Sequence, residues 1–202
     1  AGLVQSDEPA TNLLCQGMVI ADTFYRLETD GSKTWFNPAD VVIENDERGK
    51  ISGATLISDG KPVEIGGTEK MSKSKNNGVD TQTMVDKFGA DTVRLFSMFA
   101  SPPEQSLDWS ETGVEGMYRF LRRFWAQVSK HVEAGAVPAL NVDALSPPAK
   151  ILRRQLHETI QKVADDYGRR LTFNTAIAAV MELLNSTAKF EVNSENDRAL
   201  LQ

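Results

Sequence analysis

Apolar residues along the first third of the chain come in short runs of strand length. The longest is LLCQGMVIADTFY, where residues 13–20 read as a buried strand with room to continue to Tyr25. VVI (41–43), ISGATLI (51–57) and VEI (63–65) follow, the first two flanking a charged connection, ENDERGK. Asp30-Gly31 and Asp59-Gly60 are turn pairs that suit hairpins. These features predict a small β-rich module over residues 26–66. From Asp80 the period becomes helical. Asp80 or Thr81 can cap a helix that reaches Phe88 and ends at Gly89. ADTVRLFSMFA forms a second helix, stopped by Pro102 and Pro103. Val114, Met117, Tyr118, Leu121, Phe124, Trp125, Val128 and Val132 recur every three or four residues and predict a third, with Tyr118, Phe124 and Trp125 read as bundle core and a base-stacking platform as the alternative. Ser146-Pro147 opens a fourth, with Leu152, Leu156, Ile160, Val163 and Tyr167 on one stripe and an end near Gly168. Residues 174–189 are amphipathic again, and Ser194 starts another turn. Several such helices in succession predict an antiparallel bundle.

Composition narrows the class. The 202 residues are 41% hydrophobic and 25% charged, which is globular. Runs such as AIAAVM fall far short of the roughly 20 apolar residues a bilayer span needs. The opening AGLVQSDEPA has no basic, then apolar, leader pattern and does not start with Met, and NDRALLQ stops inside a helical pattern. Both ends suggest a piece of a longer chain. Cys15 is the single cysteine, expected to be a buried strand residue, so no internal disulfide forms and a reducing, cytoplasmic setting fits. His131 and His157 stand apart without cysteine neighbours, which argues against a structural zinc site. The net charge of −6 is uneven: residues 1–67 hold 5 basic and 11 acidic side chains, residues 68–109 hold 5 and 6, and residues 110–202 hold 12 and 11. A nucleic-acid partner would therefore use the later parts.

One stretch carries chemistry. EKMSKSKNNGVD, residues 69–80, fits no helix or strand period and reads as a loop. Lysine clusters are most often solvated surface. Here Lys70, Lys73 and Lys75 alternate with the hydroxyls of Ser72 and Ser74, and Gly78 could expose backbone N–H donors. Ammonium groups on flexible stems act as movable charges that can wrap triphosphate oxygens. Aimed at a leaving pyrophosphate, they speed the reaction more than they tighten ground-state binding. There is no GxxxxGK[ST], so the loop is not a P-loop.

Lys70-Met71-Ser72-Lys73-Ser74 resembles the KMSKS motif of class I aminoacyl-tRNA synthetases. The order KMSKSKNNGVD, GADTVRLFSMFASPPEQSLDWSETGVEGMYRFLRRFW, FNTAIAAVMELLN is similar to bacterial leucyl-tRNA synthetases over nearly the whole chain, residues 13–202. Isoleucyl, valyl and methionyl relatives share KMSKS and the GAD segment; SPPEQSLDWSETGVEG and the β-rich stretch before the motif resemble the leucyl branch.

The resemblance implies an α+β architecture in four parts. Residues 1–25 would end a Rossmann-like catalytic domain and 26–66 would be a leucine-specific insertion. Residues 67–109 would hold the KMSKS loop and stem-contact helices, and 110–202 a truncated helical bundle of the anticodon-binding type. It implies activation of leucine with ATP and Mg2+, then transfer to tRNA(Leu), in a monomeric enzyme. Lys73 matches the family's ATP-binding lysine. Lys70, Met71, Ser72 and Ser74 match the rest of the loop, and Gly17 and Met18 fall where relatives form the nucleotide-side strand end. Lys70 and Lys73 are the candidate catalytic groups. Arg122, Arg123, Arg153, Arg154, Arg169 and Arg170 are candidate tRNA contacts, with helix-surface solubility as the bland alternative. The family's other ATP motif, His-x-Gly-His, is absent, and nothing resembles a leucine pocket, editing domain or zinc module. The chain alone is therefore expected to be inactive and to bind no metal of its own. A non-catalytic tRNA-binding module, another class I specificity and a paralogue without ligase activity remain the alternatives.

Overall fold

The computed structural model describes residue 8, residues 10–48 and residues 51–202. Most of the stretch read for a leader, and the last two residues of ENDERGK, lie outside the described residues.

Among the described residues six strands and six α-helices follow in order: β1 (Val19–Leu27), β2 (Lys33–Phe36), β3 (Val41–Asn45), β4 (Ile51–Leu56), β5 (Glu64–Lys70), α1 (Thr81–Phe88), α2 (Ala90–Phe99), β6 (Leu107–Asp108), α3 (Glu111–Glu133), α4 (Pro147–Asp165), α5 (Phe173–Lys189) and α6 (Glu195–Leu200). β1 is the shared strand. β5 runs antiparallel along one edge, from Ile20↔Lys70 to Tyr25↔Glu64, with a bulge at Thr23/Phe24. On the other edge β2 pairs antiparallel with its C-terminal half and β6 pairs parallel with Val19 and Ile20. β3 and β4 form a separate two-stranded sheet. Both D-G pairs turn the chain as expected. Gly31 and Gly60 take positive φ, which glycine adopts without Cβ strain, and Arg26 clamps Asp59 of the second turn at 2.6 and 2.9 Å. That fork, together with the Lys61 N–H, holds the Asp59 carboxyl down at about 2.

The first strand corrects the sequence reading. Residues 13–18 are not strand, and Leu13, Leu14, Cys15 and Met18 are exposed. An apolar run is buried only where neighbours cover it, and this one gains sheet partners only from Val19 onward. β1 also crosses residues 25 and 26, and β5 crosses 66 and 67.

Three apolar clusters hold the fold. Phe24, Val41, Ala54, Leu56 and Val63 join the two sheets. Phe88, Phe96, Leu107, Val114 and Met117 join α1, α2, β6 and α3. There a Cβ on Gly113 would meet the Phe96 ring at 2.7 Å, so glycine permits the close crossing. Leu145, Ala149, Leu152 and Leu200 tie α4 to the C-terminal turn. Asp80, Ser146 and Ser194 start their helices as the sequence predicts, and Ser110, which the sequence reading did not single out, starts α3; each accepts a backbone N–H of the first turn.

Two helix faces differ from expectation. On α3, Val114, Met117 and Phe120 are buried, but Phe124 is exposed, Trp125 is 74% exposed, and Val128 and Val132 are open too. Tyr118 alone of the expected aromatic stripe packs inward, edge-on to Phe88. The apolar period continues on a face of α3 left uncovered, while α5 meets the helix at Arg123 and Gln127 through Asn185 and Thr187. On α4 the buried face runs through Leu152, Thr159 and Asp166, while Ile160 and Tyr167 are exposed. Asp166 draws the stripe one residue over, because its carboxylate takes Lys162 Nζ at 2.8 Å and Thr175 Oγ1 at 2.5 Å. Beyond Asp165 the chain winds on as a π turn to Arg170, past the expected stop at Gly168, and Leu171 reverses it with φ of 55°.

Candidate nucleotide site at the lysine loop

The lysine motif is less of a loop than its composition predicts. β5 carries the chain through Lys70, and Met71 N–H still bonds Val19 carbonyl at 3.0 Å. Residues Lys73–Lys75 then close a single 3₁₀ turn. Ser72 Oγ caps it by accepting from Lys75 N at 3.3 Å and lies 3.2 Å from Ser74 Oγ. Asn76 ends the turn in the left-handed region, with φ of 49°, which asparagine tolerates better than most residues.

Asn77 roots the turn. Its side chain is fully buried, with Oδ1 accepting from Ser72 N at 2.9 Å. Nδ2 reaches the carbonyls of Ala21, Glu69 and Lys70 at 3.3, 3.3 and 3.4 Å. One amide thus ties β1, the end of β5 and the start of the turn, meeting the rule that a buried polar group keeps its partners.

The lysines divide into two kinds. Lys75 is half-buried, ion-paired with Glu69 and 5.4 Å from the centre of the Trp35 ring. Lys70 and Lys73 are exposed and make no ion pair among the described residues. Their charges are therefore available to an anion, with the hydroxyl of exposed Ser74 beside them and Ser72 serving the turn.

Gly17 and Met18 lie next to this root, since Met18 precedes the Val19 that holds Met71. The glycine has a structural cause: a Cβ there would meet Gln105 carbonyl oxygen at 2.2 Å, and Gly17 N–H bonds Pro103 carbonyl at 2.8 Å. Met18 carbonyl accepts Leu107 N–H at 2.9 Å, and its side chain is exposed. Nearby, burial and the Asp22 carboxylate push the Asp108 carboxyl up. Among the described residues no group of three His, Cys, Asp or Glu side chains is placed to hold a metal ion.

The six arginines sit in the helical half, away from the motif in sequence, and differ in how free their charges are. Arg169 forks onto Asp165 at 2.6 and 2.9 Å, Arg170 lies 3.4 Å from Asp166, and Arg154 pairs with Glu158 at 2.7 Å. Arg122 stands over the Tyr118 ring, and Arg123 bonds Asn185 at 3.3 Å. Neither these two nor half-buried Arg153 pairs with a carboxylate among the described residues.

Sequence reasoning missed Asn77, Glu69, Trp35 and Asn37 as parts of the site. Asn77 could have been suspected from the NNG that closes the lysine run. The other three carry no local signal.

A family model described as tRNA synthetases class I (I, L, M and V) matches residues 29–110, which include the whole lysine motif. Over all 202 residues the chain is 71% identical to a leucine–tRNA ligase of Stenotrophomonas maltophilia (strain K279a) and 69% identical to one of Xanthomonas oryzae pv. oryzae (strain PXO99A). The chain belongs to the leucine–tRNA ligase family. It spans 23% of the length of each of these two ligases. A solved LeuRS–tRNA–LeuAMS ternary complex from Agrobacterium radiobacter K84 is similar over 66% of this chain and 18% of that one, at 27% identity and a TM-score of 0.56. The family's mixed α+β core is thus the architecture of this chain. No helix of the described residues is long and apolar enough to cross a membrane.

Proposed function

We propose that this chain supplies the KMSKS half of the active site of a leucine–tRNA ligase. In that reaction leucine's carboxylate attacks the α-phosphorus of ATP, pyrophosphate leaves, and the leucyl group then passes from the adenylate to tRNA(Leu). The observation that carries the reading is the contrast within the motif: a turn rooted by Asn77, one lysine neutralised by Glu69, and Lys70 and Lys73 left open. Fixed roots with free ammonium groups suit a leaving pyrophosphate, because the charges need little reorganisation when negative charge grows. A short turn hinged on two strands can also close on nucleotide and reopen.

Mg2+ would enter on the nucleotide's phosphate oxygens, since this segment offers ammonium and hydroxyl donors to that site. The same reading divides the chain at about residues 25, 66 and 109. It takes the helical part as the anticodon-binding type and looks for tRNA phosphate contacts first at Arg122, Arg123 and Arg153, which pair with no carboxylate among the described residues. A monomeric, cytoplasmic enzyme is the expected setting, with activity only when the rest of the ligase is present.

Lys73 is the residue that tests it. In the full-length ligase carrying this segment, Lys73→Ala is expected to slow adenylate formation by about 10²–10³-fold, or about 3–4 kcal/mol, the cost of one preorganised donor to a developing anion. ATP and leucine binding should weaken far less. Lys73→Arg should rescue poorly, because a planar fork does not replace a compact charge. Transfer from preformed adenylate has no triphosphate to hold and should stay near normal. Activation and transfer are measured separately in pre-steady-state experiments. Equal loss in both would make Lys73 a structural prop of the turn and sink the leaving-group role.

A further inference from the structure

β2 and the lysine motif are about forty residues apart in sequence, yet they touch along a line. Lys75 Nζ lies 5.4 Å from the Trp35 ring centre, Asn76 Nδ2 approaches Trp35 carbonyl at 3.5 Å, and Asn37 Nδ2 donates to Gly78 carbonyl at 3.1 Å. Three successive parts of the turn's second half thus meet residues 35–37. The ring itself is held. It packs on Tyr25 with centroids 5.2 Å apart, and Lys33 Nζ lies 3.8 Å from the Tyr25 ring centre and 5.5 Å from that of Trp35. β5 keeps Gly66 bare beneath it, since a Cβ there would come within 3.2 Å of the indole and 2.4 Å of Thr23 Oγ1.

We propose that β2 is a rail for the lysine motif, with Trp35 and Asn37 as positioning residues that fix Lys75 to Gly78. With Ser72 held by Asn77, only Lys73 and Ser74 are then free to follow the nucleotide. This rests on the reading of the motif as the triphosphate site and assigns a role to residues outside the motif. The physical basis is a division of one short segment into a held half and a moving half. A cation over an aromatic face, reinforced by the Glu69 ion pair, holds a lysine whose charge would otherwise compete with Lys73 for solvent and ligand. Because Lys73 is two residues from Lys75, a rail that lets Lys75 wander moves the reacting lysine as well. Misplacements near 1 Å cost rate steeply.

Three variants separate the contacts. Trp35→Leu removes the π face but leaves the backbone carbonyl. Trp35→Phe restores an aromatic face. Asn37→Asp keeps the acceptor that caps Ala39 N–H at 3.0 Å but loses the donor to Gly78. Hydrogen exchange of a peptide spanning residues 71–80 is followed in the 202-residue chain, and ATP–pyrophosphate exchange in the full-length ligase. The expected result is faster loop exchange in Trp35→Leu and Asn37→Asp, with kcat for activation down roughly ten- to hundredfold. KM for leucine should not change, and Trp35→Phe should recover part of the loss in both readouts. Unchanged loop exchange would overturn the rail, as would faster loop exchange with an unchanged activation rate. Should Trp35→Leu unfold, Asn37→Asp, which removes one donor, decides by the same two criteria. A wild-type ligase that fails to activate leucine would overturn the ligase reading itself, while the exchange arm would still report whether β2 holds the turn.

Discussion

Asn77 has given up all contact with water to serve both strands and the lysine turn. Asn77→Ala strands the Ser72 N–H and removes a donor from three carbonyls, and is expected to cost about 1–3 kcal/mol, read as a lower urea midpoint at unchanged slope. Asn77→Asp is the sharper variant: it keeps the acceptor for Ser72 but faces the carbonyls with a charge. It should be the less stable of the two at neutral pH and should recover as acid protonates the new carboxyl into a donor. Recovery absent at low pH would remove the Nδ2 bonds from the account. At this scale half of the candidate site can be read from the sequence. Five contiguous residues of one motif are legible because their chemistry is local. Trp35 and Glu69 are ordinary strand residues until folding brings them to Lys75.

Helices α1, α4 and α6 were legible at their starts, since a cap is a single side chain bonding its own first turn. Their faces were less so. Ile160 and Tyr167 fit the apolar stripe of α4 as well as Thr159 and Asp166 do, except that an aspartate is not expected inside. What turns the helix is the network that satisfies it: Lys162, Thr175 and Arg170 around one carboxylate, at the point where α4 hands over to α5 through the π turn. The bonds from Lys162, Thr175 and Thr172 hold the Asp166 carboxyl down at about 2, against about 3.9 for a free aspartate. The folded chain therefore binds fewer protons than the unfolded one in that interval. The stabilisation is complete above about pH 4 and fades as the pH falls through 2. Asp59, held by Arg26, adds to the same acid limb. Asp166→Asn should lower stability at neutral pH by about 1–3 kcal/mol and flatten the decline between pH 4 and 2, both followed by helical circular dichroism. An acid limb as steep as in the parent chain would assign it to other carboxylates.

At the scale of the molecule, the strand pattern predicted β content without predicting its wiring. Nothing in VIADTFYRL says that one strand will serve three partners, or that Leu107 and Asp108, between two helices, will return to its first residues. Nor does the period of α3 say where its cover ends, leaving Trp125 and Val132 open. The parallel return of β6 has a consequence in time. Leu107 meets Val19 across 88 positions of sequence, a span that shrinks to that between Lys70 and Leu107 once β5 has zipped onto β1. Loop-closure entropy grows with the logarithm of length, so the antiparallel zipper should come first and act as the template on which the second closure is affordable. Helices α1 and α2 lie inside that loop and form locally, on the microsecond scale. Trp109, whose N–H bonds Ile20 carbonyl at 3.0 Å, sits at the seam and reports its closing. In refolding, helical ellipticity should therefore recover before the Trp109 fluorescence change, assigned by difference against Trp109→Phe. Simultaneous recovery of the two signals would mean that the seam closes with the helices and that β1 is no template. A strand that looks like architecture in the finished protein is then also a schedule: the order in which partners reach β1 is the order in which the end that carries the lysine motif comes into being.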